Sequence, residues 1–207
     1  MDIAQLNKTL GNLDIYLLDQ ILKGRFEGHQ RMLDAGCGEG RNLHWFIRQG
    51  YDVYGLDANE DAIRMLHYIA RSLRKDYDTH RFFTDTIEDA LLSPGFFDAV
   101  LCSAVLHFAR DHAHFDAMVT NLCHTLRPGG LLFIRMCSDI GIEDKVSISS
   151  GGTASLPDGS MRYLLTRKKY EELLSIHRLL AVESLKSVNV QDLRVMSTLV
   201  LQKEQSS

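Results

Sequence analysis

Three glycines at alternate positions, Gly36, Gly38 and Gly40, follow directly on the short apolar run Arg31-Met32-Leu33-Asp34-Ala35. This is the segment that most restricts the fold. An apolar pentapeptide running into bare backbone reads as a buried strand that turns sharply into a helix. Glycine tolerates positive φ and lets the chain approach a ligand closely. A helix is expected from near Arg41, burying Leu43, Phe46 and Ile47 and stopping at Gly50 as a left-handed cap.

The same alternation continues downstream. Asp52 to Asp57 reads as a second strand. Asn59 then caps a helix with the apolar stripe Ala62, Met65, Leu66, Ile69, Ala70 and Leu73. Residues 81–84 read as a third strand. Phe97 to Ser103 reads as a fourth, apolar almost throughout as expected for a strand covered on both faces. A helix presenting Phe115, Met118, Val119, Leu122, Cys123 and Leu126 follows, and Pro128-Gly129-Gly130 turns the chain into a fifth strand, Leu131 to Cys137. Strand alternating with helix predicts an α/β fold, a parallel sheet layered by helices on both faces.

The flanks differ. Leu6, Leu10, Leu13, Leu17 and Ile21 predict one or two amphipathic helices broken at Gly11-Asn12, making residues 1–28 a helical cap. Tyr16 and Phe26 belong there either to a lid over a ligand at the glycine turn or to core. Residues 139–160 are rich in Gly and Ser and long for a connection, so a substrate-side lid is expected. A helix over 166–177 and strands near Val182–Val190 and Arg194–Gln202 complete one domain, 1–207.

Composition narrows the partners. A net charge of -4 leaves no basic footprint for nucleic acid. No run approaches the roughly 20 apolar residues needed to span a bilayer. The start, Met1-Asp2-Ile3-Ala4-Gln5, shows neither a basic segment nor a signal core, so a cytoplasmic location is expected. The four cysteines form no CxxC pair and read as reduced and structural. A small-molecule substrate fits best.

Several nucleotide-like cofactors suit a glycine turn of this kind, and three details select among them. The spacing is GxGxG followed by Arg41-Asn42, not the GxGxxG of dinucleotide sites, and no triphosphate-binding GxxxxGK[ST] is present. Asp34 sits just before the glycines, where its charge discourages a pyrophosphate but suits an ammonium. Asp57 lies 20 or so residues beyond the turn, at a strand end where a carboxylate can accept both ribose hydroxyls. An acid for an amino group, an acid for a ribose and open backbone between them form the set that S-adenosylmethionine (SAM) requires.

On these residues the chain resembles the class I SAM-dependent methyltransferases. LDAGCGEGRN (33–42) is similar to their first motif, YGLDAN (54–59) to the ribose-binding strand end and TDTIED (84–89) to the adenine loop. FDAVLCSAVLHF (97–108) and LRPGGLLFI (126–134) are similar to the fourth- and fifth-strand motifs. The resemblance implies a three-layer, Rossmann-like, seven-stranded, mostly parallel sheet with an antiparallel last strand. It also implies cofactor contacts from Asp34, Gly36, Gly38, Gly40, Asn42, Asp57 and Ala58. Asp85 would lie near the adenine amino group, Thr86 and Ile87 along the ring, and Cys102 and Ser103 where methyl and acceptor meet. GCGEGRN, YDV, AVLHF and an Arg-containing last strand further resemble the tellurite-resistance and thiol-methylating branch.

The expected chemistry is in-line displacement of a methyl group onto a small molecule, whether thiol, metalloid, amine, carboxylate or hydroxyl. His107 is a candidate base or substrate contact, or else a partly buried strand-end histidine. Arg194 is a candidate for attracting an anionic or thiolate acceptor, or else an exposed strand arginine. His107, His112, His114 and Asp111 match no metal-ligand spacing, so no metal is expected and these histidines read as surface residues. Cys37 reads as filler within the turn. The fourth-strand motif lacks the Asn/Asp-Pro-Pro-Tyr/Phe pattern of amino-methylating nucleic-acid enzymes. Two rival readings are a nicotinamide-dependent oxidoreductase and a non-catalytic SAM-binding protein.

Overall fold

In the computed structural model, which describes residues 2–28 and 31–205, strand and helix alternate as the sequence predicts. The outermost ends of the expected domain and helical cap lie outside those residues. Five strands, β1 (Arg31–Ala35), β2 (Asp52–Asp57), β3 (Phe82–Thr84), β4 (Phe97–Ser103) and β5 (Leu126–Ser138), pair in parallel in the order β3-β2-β1-β4-β5. The last strand, β10 (Arg194–Lys203), lies antiparallel against β5. On its other side it pairs with β8 (Leu179–Ala181) and β9 (Lys186–Val190). These two strands share one outer place, so eight strands fill seven positions.

Helices α2 (Ile15–Leu22), α3 (His44–Gln49) and α4 (Glu60–Leu73) cover one face, and α5 (His112–Thr125) and α6 (Arg167–His177) the other. Along β4 the side chains alternate between the two layers. Ala99 and Leu101 pack with Leu17, Phe46 and Leu66, whereas Val100 and Cys102 pack with Phe115, Leu122 and Leu173. Burying one such leucine fully contributes about 2 kcal/mol, and the central strand collects that gain on both faces. Helix α1 (Ile3–Leu10) buries no residue and leaves Ile3 and Leu6 exposed.

Four local expectations shift. α3 begins at His44 rather than near Arg41, because residues 41–43 are still in turn, though Gly50 caps it at φ 86° as expected. The buried stripe of α4 runs Ile63, Leu66, Ala70, and Met65 points outward at 46% exposure. β5 starts at Leu126, ahead of Pro128-Gly129-Gly130. Phe97 faces Leu126 but Ala99 faces Leu131, so those residues bulge opposite Asp98 rather than turn the chain. Of the strand expected near Val182–Val190 only Lys186–Val190 forms, as β9; β8 lies before it at Leu179–Ala181, and between the two Glu183 pairs with Lys23 and Lys186.

Residues 139–160 are not a loose loop. They contain the first strand and the turn of a hairpin, β6 (Thr153–Ser155) against β7 (Met161–Tyr163), and Ala154, Leu156 and the following Leu164 pack with Cys137 and Met196. A bridge between Ser138 and Leu165 fixes this hairpin to the carboxyl end of β5.

Candidate functional site

The glycine turn leaves β1 at the carboxyl edge of the parallel strands, beside the ends of β2 and β4. The amides of Gly36 and Cys37 donate to the Leu56 carbonyl at 2.8 and 3.0 Å, tying the turn to β2. The Gly38 amide donates to Asp57 Oδ2 at 2.8 Å and the Asn59 amide to Oδ1 at 2.9 Å. Two backbone donors therefore hold the Asp57 carboxylate rigid while leaving lone pairs free for two hydroxyls. The Asp85 amide donates to the Asp57 carbonyl at 3.2 Å, which brings the loop after β3 alongside.

The three glycines have different tasks. Gly36 has φ 79°, and a Cβ there would stand 2.2 Å from Val105 Cγ2. At Gly38, φ 53°, a Cβ would meet nothing within 4 Å, so its backbone faces open space. A Cβ on Gly40 would lie 2.4 Å from Leu66 Cδ1, and Gly40 lines no cleft. Gly40 lets the turn pack on α4, the task of the third small residue in GxGxxG sites.

Gly36, Asp57, Ala58, Asp85, Thr86, Ile87 and Ser103 line one cleft of about 420 Å³. A second, of about 320 Å³, opens across Gly36 and Ser103 and is lined by Asn12, Cys37, Gly38, Glu39, Arg41 and Asn42. The two clefts share a wall at Gly36 and Ser103. Ala104, next on that wall, adopts φ 65°, a left-handed conformation costing a non-glycine residue about 1 kcal/mol. Its amide donates to the Arg135 carbonyl at 2.7 Å, which holds the strained turn in place.

Other expected residues lie elsewhere. Asp34 is buried under the turn at 1% exposure, and neither carboxylate oxygen has a partner. Burial, with Asp57 adding and Arg41 opposing, pushes its carboxyl up to about 7. Such a group is costly unless a cation or donor reaches it. Asn42 accepts the Asp14 amide through Oδ1 at 3.1 Å, so it braces α2 as well as lining the second cleft. Cys102 points into the core on the α5 side and not into a cleft, and burial raises its thiol. Of the pair expected where methyl and acceptor meet, only Ser103 lines the two clefts.

His107 is 6% exposed and its Nδ1 accepts the Cys137 amide at 3.3 Å. Burial and the charges of Arg162, Arg135 and Arg194 lower it to about 4. Arg194 stands 3.9 Å from Asp158 and is exposed. Neither His107 nor Arg194 lines either cleft. His112 is exposed and bonds the Tyr163 hydroxyl at 2.8 Å. His114 is not the surface residue expected: it lies 2.7 Å from Glu88, and both line the larger cleft. Among the described residues no group of His, Cys, Asp and Glu could hold a metal. Cys37 is buried against Gly55, with its thiol raised by burial. Phe26 is core, packed on Phe46, while Tyr16 stays half-exposed. Among the described residues no helix is long and apolar enough to cross a membrane.

Sequence reasoning missed Asp14. It caps α2 by accepting the Tyr16 amide at 2.9 Å, and its Oδ2 accepts the Ser103 hydroxyl at 3.2 Å. Arg41 and Arg135 lie 3.6 and 3.5 Å from the same oxygen. The local sequence reveals only a helix cap, because the other three groups arrive from distant elements.

Comparison with known proteins agrees with this geometry. Residues 32–130 match a family model described as a methyltransferase domain. Over 163 residues the chain is 32% identical to the ubiquinone biosynthesis O-methyltransferase of Xylella fastidiosa (strain M23), a match covering 73% of this chain. It covers 63% of that relative, somewhat less than two thirds of its length. A SAM-dependent methyltransferase of Methanosarcina mazei shares the fold with a TM-score of 0.70 at 19% identity, over 90% of this chain and 98% of that one. The magnesium protoporphyrin IX methyltransferase of Synechocystis PCC 6803, solved with bound S-adenosylhomocysteine, shares it with a TM-score of 0.68 at 18% identity. That match covers 99% of this chain and 89% of the other.

Proposed function

We propose that this chain is a class I SAM-dependent methyltransferase that acts on a hydroxyl group of a small molecule, a reading supported by the match of residues 32–130 to a methyltransferase domain and by the 32% identity to an O-methyltransferase. The observation that carries this reading is the pair of clefts meeting at Gly36 and Ser103. The larger has the Asp57 carboxylate for a ribose and the Asp85–Ile87 loop for a purine. The smaller has the Arg41 guanidinium for an α-carboxylate, and the two oxygens of Asp34, buried beneath the turn without partners, suit an ammonium. Residues present on both sides thus suit the two halves of SAM. The choice of oxygen as nucleophile rests on the O-methyltransferase relatives.

When bound, SAM supplies an electrophilic methyl on a sulfonium that leaves as a neutral thioether. The protein's part is alignment and exclusion of water. Ser103 and the strained Ala104 form the rigid wall at which the clefts join, and half-buried Val105 and exposed Phe108 give the larger cleft an apolar flank. A hydroxyl acceptor releases a proton as it is methylated. Asp14 Oδ2 accepts the Ser103 hydroxyl at that wall and fixes its orientation, and the released proton passes to solvent.

Incubation with methyl-labelled SAM and a panel of catechols, thiols, amines and oxyanions of tellurium tests the reading. Labelled methyl ether together with S-adenosylhomocysteine is expected. Transfer confined to sulfur, nitrogen or tellurium overturns the oxygen assignment, and cofactor binding without any transfer favours a non-catalytic SAM-binding protein.

A further inference from the structure

Beyond Ser103, on the side away from Asp57, the chain gathers arginines. Arg135 of β5 is the register partner of Ser103, and its guanidinium carbon lies 5.1 Å from the Tyr16 ring centroid. Its Nε is buried without a hydrogen-bond partner. Arg162 of β7 lies 4.8 Å over the ring of Phe108, a residue of the larger cleft's wall. Arg194 comes from the first position of β10. The charges facing this group from the surrounding elements are Asp14 at the head of α2, shared with Arg41, and Asp158 in the β6–β7 turn. Four guanidiniums thus meet two carboxylates, and burial together with the charges of Arg162, Arg135 and Arg194 drives His107 toward its neutral form.

We propose that the methyl acceptor carries a carboxylate and that Arg135 and Arg162 bind it, which makes them specificity-determining residues. This rests on the methyltransferase reading above. Three features support it. Both guanidiniums are laid on aromatic rings, so the forks are held in place before a ligand arrives. The buried Arg135 Nε–H lacks an acceptor that an anion provides, and an unmet buried donor is unfavourable. The arginines come from β5 and the β6–β7 hairpin, next to the shared wall and away from Asp57, so they lie on the acceptor's side rather than the ribose's; Arg135 is only loosely tied to Asp14, at 3.5 Å, and Arg162 donates to the Met161 carbonyl at 2.7 Å. Arginine matches a carboxylate with two parallel hydrogen bonds, giving orientation as well as affinity.

The test is calorimetric. The protein is first saturated with S-adenosylhomocysteine, and failure at that step counts against the methyltransferase reading itself. The loaded protein is then titrated with 3,4-dihydroxybenzoate and, separately, with catechol. The carboxylate is expected to bind at least about tenfold tighter, roughly the worth of one charge-assisted pair. Arg135→Gln and Arg162→Gln should each remove most of that preference, with S-adenosylhomocysteine affinity unchanged, and Arg135→Lys should keep part of it. Arg162 sits on a surface hairpin, so its variant serves even where Arg135→Gln folds poorly. Equal affinity for the two compounds, no binding of the carboxylate, or a preference surviving both Gln variants overturns the proposal.

Discussion

Ser103 donates its hydroxyl to Asp14 Oδ2 at 3.2 Å, joining residues 89 positions apart where the two clefts share a wall. One carboxylate thereby caps α2, fixes the end of β4 and lies between Arg41 and Arg135. Asp14→Ala removes the cap and leaves two guanidiniums short of a partner. A loss of about 2 kcal/mol is expected, a fall in Tm of about 6 °C for a chain this size. Asp14→Asn should lose less, because its amide oxygen still caps the helix. Thermal melting of the two variants measures the difference.

Gly40 and Gly38 separate packing from ligand approach. Gly40→Ala places a methyl against Leu66 and also forces alanine into φ 81°, so a loss of about 3 kcal/mol is expected. Adding Leu66→Ala should relieve the clash without restoring full stability. Gly38→Ala meets open space and should cost only about 1 kcal/mol of strain while weakening S-adenosylhomocysteine binding. Denaturant melts alongside calorimetry distinguish the two; a Gly40→Ala protein of wild-type stability contradicts the packing role.

The proposed pairing of Asp34 with the cofactor's ammonium makes affinity depend on pH. Its carboxyl titrates near 7 in the folded chain against 3.8 in the unfolded chain, so the folded state binds the extra proton between those values. Its contribution to stability of the ligand-free protein is complete below about pH 4 and is lost as pH rises to about 7. Pairing with an ammonium needs the ionised form, so affinity for S-adenosylhomocysteine should rise as pH climbs toward 7, with proton release on binding. Calorimetry in buffers of different ionisation enthalpy reads that release, which Asp34→Asn should abolish.

Asp57→Ala removes the proposed ribose acceptor and also the anchor of the Gly38 amide. Two lost hydrogen bonds to a charged group correspond to about 3 kcal/mol, so binding should weaken by about 100-fold. Circular dichroism establishes that the fold persists, and calorimetry gives the affinity. Wild-type affinity in a folded variant removes Asp57 from the site.

His107, lowered to about 4, is neutral from pH 5.5 to 8, and its Nδ1 already accepts the Cys137 amide. The pH profile of kcat/KM should therefore contain no inflection near 6.5 that disappears in His107→Gln. Such an inflection would restore His107 as a base.

Legibility in the sequence followed the range of the interaction. The strand Phe97–Ser103 was readable to the residue because a run buried on both faces is apolar almost throughout, here at every position but Asp98 and Ser103. Asp57 and the Asp85–Ile87 loop were readable because a parallel sheet brings successive strand ends to one edge. The bulge at Pro128-Gly129-Gly130 was not, since a proline and two glycines mark a turn and a bulge equally well. Nor were Cys102 and Ser103 told apart, because which face of β4 each side chain takes depends on register and on the helices covering it.

By itself, the sequence determined the alternating α/β order, the glycine turn and the two acids flanking it. These are set by local backbone preference and by periodicity along a few residues. Only tertiary structure decided that Gly40 packs on Leu66, that Asp34 is left without a partner, and that Asp14 reaches Ser103 and Arg135. Each of those facts is a meeting of side chains far apart in the chain. Such meetings are governed by the closure of the core, which no local pattern encodes.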